Sequence, residues 1–101
     1  MTNKEALIAA IKPYETEAGT IEKTLIDAGI DQTAEYLDRK AIDLCAIEIL
    51  QAMMSLSSES EGGFSRSYDS KGIKQRLLYL AQKNGVFIPG LGGSIKSIDK
   101  W

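Results

Sequence analysis

Residues 34–56 contain no glycine and no proline, and their apolar residues recur every three or four positions. Such a run can hardly be anything but one long α-helix. Asp31 or Thr33 is the expected start, because either side chain can accept from a free N–H of the first turn. At 100° per residue, Ala41, Ile42, Cys45, Ala46, Ile49, Ala52, Met53 and Leu56 fall on one stripe, the face expected to enter a core. A second apolar strip of Ile47, Leu50 and Met54 lies on another side, beside Asp43. A surface helix needs one apolar face. Either this helix is central and the short N-terminal helices cover both of its sides, or the second strip meets another subunit. The shortness of the chain favours a mixture of the two.

The remaining elements are read around that helix. Residues 4–11 put Leu7, Ile8 and Ile11 at helical spacing, with Thr2 or Asn3 as cap and Pro13 as the stop. Residues 14–19 are polar and read as a connector. Thr20 is then expected to cap a second short helix whose Ile21, Leu25 and Ala28 share a face, ended by Gly29 in the left-handed conformation. After the long helix, serines and paired glycines break the pattern. Phe64, Arg66 and Tyr68 then alternate with serines, which predicts a short extended segment. Ser70 caps a last helix through Asn84, with Ile73, Leu77, Leu80 and Ala81 on one face and Gly85 as its stop. From Val86 onward, apolar residues are spaced by glycine and proline and form an arm. Val86, Phe87, Ile88, Leu91, Ile95, Ile98 and Trp101 are too many large apolar groups for a free tail, so some surface must receive them. The expected fold is therefore all-α, a small bundle of four helices, with one helical domain over 1–85 and the arm over 86–101.

Composition removes several classes of function. With 101 residues, 44% hydrophobic and 26% charged, the chain suits one globular domain. It has no histidine, which excludes Ser-His and Cys-His nucleophile pairs, imidazole metal ligands and a histidine base. A single cysteine excludes an internal disulfide and a thiolate zinc cluster, and fits a reducing compartment. The early apolar residues are flanked by acids rather than preceded by a basic stretch, unlike a secretory leader. No run approaches membrane-spanning length, so no membrane partner is expected. The net charge of −2 hides a split: residues 1–61 carry five Lys or Arg against twelve acids, a net of −7, and residues 62–101 carry seven against two, a net of +5. Complementary halves suit head-to-tail association between copies, and equally suit neutralisation within one monomer.

No motif supplies chemistry. Gly90, Gly92 and Gly93 lack the Lys-Ser/Thr ending of a phosphate loop and read as arm glycines. Asp38 with Asp43, and Glu59 with Glu61, are the notable carboxylate pairs, and solvated faces or helix ends account for both. Cys45 sits on the apolar stripe as a core thiol. Arg66, Lys71, Lys74 and Arg76, with Tyr68 and Tyr79, form a loose basic and aromatic cluster able to touch nucleic-acid phosphates, although a pI of about 5.1 is far from that of a dedicated binder. No catalytic residue, cofactor or metal site is expected, and the chain is not expected to be an enzyme.

One resemblance bears on function. Short acidic N-terminal helices precede a long helix containing Asp43-Leu-Cys-Ala-Ile-Glu-Ile-Leu50, then a Ser- and Gly-rich break, then a helix ending Leu80-Ala-Gln-Lys-Asn-Gly85. With Glu61-Gly-Gly-Phe-Ser-Arg-Ser-Tyr-Asp69, which looks like a Gly-x-Ser-x-Ser joint between the last two helices, this order resembles the head-tail connector proteins of tailed phages over residues 31–85. The resemblance implies a prophage or phage structural subunit that assembles as a ring, continues the DNA channel below the portal and offers a docking surface to tail or neck proteins. It also implies a bacterial cytoplasm during assembly and a virion neck afterwards. The contacts expected to serve subunits or partners are Ile47, Leu50, Met54, Phe64, Arg66, Tyr68, Phe87, Leu91 and Trp101. The competing expectation is a small regulatory or nucleic-acid-associated helical module that uses the basic cluster.

Overall fold

The computed structural model of the chain describes residues 1–59 and 70–88, and the fold is all-α. Four helices follow one another: α1 (Asn3–Ala10), α2 (Ala18–Asp27), α3 (Arg39–Glu59) and α4 (Ser70–Asn84). Among the described residues the extended pairing is confined to an isolated antiparallel bridge between Thr2 and Glu35. The alternating segment 64–68 and the arm beyond residue 88 lie outside the described residues.

Local chemistry explains most of the boundaries. Thr2 caps α1 reciprocally: its hydroxyl accepts from the Glu5 N–H at 3.2 Å, and the Glu5 carboxylate accepts from the Thr2 N–H at 2.8 Å. Two of the free groups at the helix start are thereby satisfied. Both α2 and α4 end on the glycines expected to stop them, Gly29 at φ +74° and Gly85 at φ +67°. Behind each glycine the chain closes back on the helix, Ile30 N–H to the Leu25 carbonyl at 2.9 Å and Val86 N–H to the Ala81 carbonyl at 2.8 Å. Both closures are Schellman turns, in which the residue after the left-handed glycine reaches back five positions.

Two helix starts differ from the expectation. Helix α2 begins at Ala18 rather than after Thr20, because the Glu17 carbonyl accepts from the Thr20 and Ile21 N–H groups at 3.0 and 3.2 Å without any side-chain cap. Helix α3 begins at Arg39, well after Asp31 and Thr33. The reason lies at the other end of the sequence: the Gln32 and Ala34 carbonyls accept from Lys4 and Asn3 N–H at 3.1 and 2.9 Å, and Tyr36 N–H donates to the Met1 carbonyl at 2.9 Å. Asn3 adds a side-chain bond, Nδ2 to the Asp31 carbonyl at 2.9 Å. Segment 31–36 thus satisfies the first-turn donors of α1, which would otherwise need water or a cap, and it cannot do so as helix. Asp31 instead accepts from the N–H and the hydroxyl of Thr33 in a tight local turn. Asp38 takes over the capping role for α3, accepting from Ala41 N–H at 3.1 Å.

Helix α3 is the centre of the molecule, and α1, α2 and α4 each pack on it. Leu7 and Ile11 from α1 and the turn after it, Ile21 and Leu25 from α2, and Ile73, Leu77, Leu80 and Ala81 from α4 meet Ile42, Cys45, Ala46, Ile49 and Met53 in one core. Ile8 and Ala28, expected on buried faces, are exposed, as is Ala52. Among the described residues, no helix is long and apolar enough to cross a membrane.

The second strip of α3 also belongs to this core. Asp43 meets Lys83 and Asn84 of α4, so the side of α3 that carries Asp43, Ile47, Leu50 and Met54 is the side facing α4. Leu50 is 0% exposed, Ile47 is buried, and Met54 is partly buried against the same cluster. Expecting these three to meet another subunit is therefore corrected: α4 covers them within the chain. The alternative weighed for the strip, a central helix covered on two sides, describes α3, although α4 rather than a short N-terminal helix supplies the second cover.

Candidate functional site

The chemistry of the described residues is concentrated along α4, on the edge turned toward α1 and the start of α3. Asp43 is only 4% exposed. Its Oδ2 accepts from Asn84 Nδ2 at 3.0 Å and lies 3.3 Å from Lys83 Nζ. Asn84 spends the same amide on the Leu80 carbonyl at 2.8 Å, which ties the last turn of α4 to its own backbone and to α3 at once. Asp43 is thus not the solvated acid expected from its sequence surroundings. A carboxylate on the apolar side of a helix is tolerated where it is paired and hydrogen-bonded, and both conditions are met here. Asp38, by contrast, is an exposed helix-end acid, as expected.

One turn back along α4, Tyr79 lies between two cations. The Arg76 guanidinium is 5.2 Å from its ring centre, and Lys83 Nζ is 5.9 Å away, both within the range of attraction to the ring face. Arg76 also donates from Nε and Nη2 to the Ala10 carbonyl at 3.2 and 3.0 Å. That carbonyl closes the last turn of α1, where a cation is electrostatically favoured. One of the four cations of the expected basic cluster is therefore engaged inside the fold: Arg76 is a fastening between α4 and α1, while Lys71 and Lys74 remain on the α4 surface. Arg66 and Tyr68 lie outside the described residues, as do Phe64, Leu91 and Trp101. Phe87 is described and is 60% exposed, just after the Gly85 turn, with Ile88 beside it buried in the core.

The polar groups of this arrangement tie helices together. Burial pushes the Cys45 thiol above its ordinary value, with Glu48 adding to the rise, so the sulfur is held protonated and unreactive. Among the described residues, no group of three or more cysteine or carboxylate side chains is placed to hold a metal ion. What the arrangement does supply is a rigid α3–α4 pair with a fixed register and an aromatic and cationic edge.

Asp43 is the residue whose surroundings the sequence misstated most. Its signal was its place: an acid aligned with Ile47, Leu50 and Met54 on a face too apolar for solvent, with Lys83 and Asn84 at the end of the next helix.

A family of unknown function, DUF6706, matches residues 1–101. No curated protein and no solved structure matches the chain.

Proposed function

The chain belongs to the family of unknown function DUF6706, and from that premise we propose a structural role for it: a subunit of a phage-type head-tail connector, assembling as a ring between portal and tail. The observation that carries the reading is the order and proportion of the helices. Two short N-terminal helices and α4 are laid against one long central α3, and this is the order in which the sequence resembles connector proteins. The uneven charge adds to it, since an acidic front half and a basic rear half give a heterologous contact two unlike faces. On this reading the partners are further copies of the chain, the portal and a tail or neck protein, with DNA passing through the ring. The protein would be found in the bacterial cytoplasm during assembly and in the virion neck afterwards.

The nucleic-acid module has less behind it, because Arg76, one of the cations it needs, is spent on the Ala10 carbonyl. Incubating the full chain with assembled portal rings, then separating by sedimentation, tests the connector reading. Co-sedimentation in a fixed ratio to portal subunits is the expected result. Absence of binding at both low and moderate salt overturns it. Salt-sensitive DNA binding that disappears when Arg66, Lys74 and Arg76 are neutralised would favour the module instead.

A further inference from the structure

The start of α3 carries an apolar strip that the other helices leave open. Leu37 is 81% exposed and Leu44 is 40% exposed, with half-buried Ala41 between them. Ala41 and Leu44 are three residues apart and share a side of the helix. A shallow hollow of ≈160 Å³ opens beside them, lined by Ile30, Leu37, Ala41 and Ile42, with Glu35 and Asp38 among its walls.

Helix α4 ends at the same level along α3. Lys83 and Asn84 both reach Asp43, within a turn of Ala41 and Leu44. After the Gly85 turn, Ile88 is buried in the core, and thirteen further residues follow it in the sequence. In sequence, residues 89–101 hold Leu91, Ile95, Ile98 and Trp101 among glycines and serines, with Lys96 and Lys100 against the single acid Asp99. We propose that the strip formed by Leu37, Ala41 and Leu44 is the docking surface for residues 89–101 of the same chain.

Apolar cover is the main term: the segment brings the large apolar groups that the strip lacks. Charge gives it a direction. Glu35 and Asp38 at the hollow and Glu48 one turn beyond Leu44 are placed to receive the lysines, while Arg39 and Lys40 keep the surroundings from being uniformly acidic. Reach is ample, since an extended segment of this length spans about 40 Å and the strip runs for only about 10 Å along the helix. Because the segment is tethered to the same chain, its effective concentration at the strip is far above that of a second copy in dilute solution. The inference does not depend on the connector reading.

Trp101 is the one tryptophan, so its emission and its quenching by iodide report on the segment in the full-length protein. The expected result is blue-shifted, quencher-protected emission that does not change with protein concentration. Leu37→Lys and Leu44→Lys should each raise the quenching constant several-fold with helix content unchanged, Leu37→Lys serving as the safer variant because of its exposure. Ile26→Lys, a change at another exposed apolar residue on α2, should leave it unaltered. Three results overturn the proposal: emission as accessible in the parent as in Leu37→Lys, protection that survives both strip variants, or protection that grows with concentration, which would place the segment on a second copy.

Discussion

The molecule is fastened in two different ways. The α3–α4 pair is joined by side chains: two long apolar faces, closed near one end by Asp43 with Lys83 and Asn84. The N-terminal region adds apolar residues to the same core, but what fixes its path is backbone, with Asn3, Lys4 and Tyr36 bonded across to Ala34, Gln32 and Met1. Side-chain fastening is written in the periodicity of each helix. Backbone fastening between the start of α1 and segment 31–36 uses groups that every residue carries, so it leaves no trace in residue type.

If the apolar seam is the stronger fastening, Leu50→Ala should be the most damaging single change. Leu50 is fully buried between α3 and α4, and its truncation should cost about 2–5 kcal/mol in urea unfolding. A cost below 1 kcal/mol would mean the strip is not packed in the monomer, and would reopen it as a subunit contact. Next comes Asp43→Ala, which leaves Asn84 and Lys83 without their acceptor. An expected loss of about 1–3 kcal/mol follows from the stranded hydrogen bond, with the Lys83 share kept small because that side chain is 41% exposed and the pair is screened by water. Lys83→Met should accordingly cost less than Asp43→Ala, and the reverse order would contradict this division.

The backbone fastening is probed by Asn3→Ala, which removes one side-chain bond and keeps the main-chain ones. About 1 kcal/mol is expected, with hydrogen exchange faster at Lys4 and Tyr36 and unchanged at the middle of α3. Uniformly faster exchange would show that the two regions open together. The smallest effect belongs to Asp31, whose carboxyl is held below the ordinary carboxylate range first by the Thr33 N–H and then by the Thr33 hydroxyl. A lowered folded-state value means that its stabilisation is present above the unfolded-state pKa and is lost as pH falls through the folded one. Asp31→Asn should therefore lower stability slightly near neutrality, change nothing at pH values below the folded-state pKa, and so flatten the acid limb of the stability curve.

How far the sequence could be read follows the same division. Helix α4 was legible to within a residue, Ser70 being its first residue rather than the cap before it, and Gly85 stands after its end as expected, because a glycine stop is local chemistry. The stripe of Ile42, Cys45, Ala46, Ile49 and Met53 was legible from period alone. The start of α3 was not, because the carbonyls of Gln32 and Ala34 are claimed by residues nearly thirty positions away, and that claim outweighs two good capping residues. The strip of Ile47, Leu50 and Met54 was seen, but its partner was not: periodicity shows that a face is apolar and is silent about which element covers it. Asp43 was misjudged for the same reason, since a lone acid looks solvated until Lys83 and Asn84 are brought opposite. The proposed role rests on helix order and resemblance.

The measurement that bears most directly on that role is the mass of the full chain by light scattering after size exclusion, across a concentration series at low and high salt and again with portal protein added. The connector reading predicts a discrete multi-subunit particle, formed alone or on the portal, that weakens as salt screens the contact between acidic and basic halves. A strict monomer at every concentration and salt, unchanged by portal protein, would contradict it.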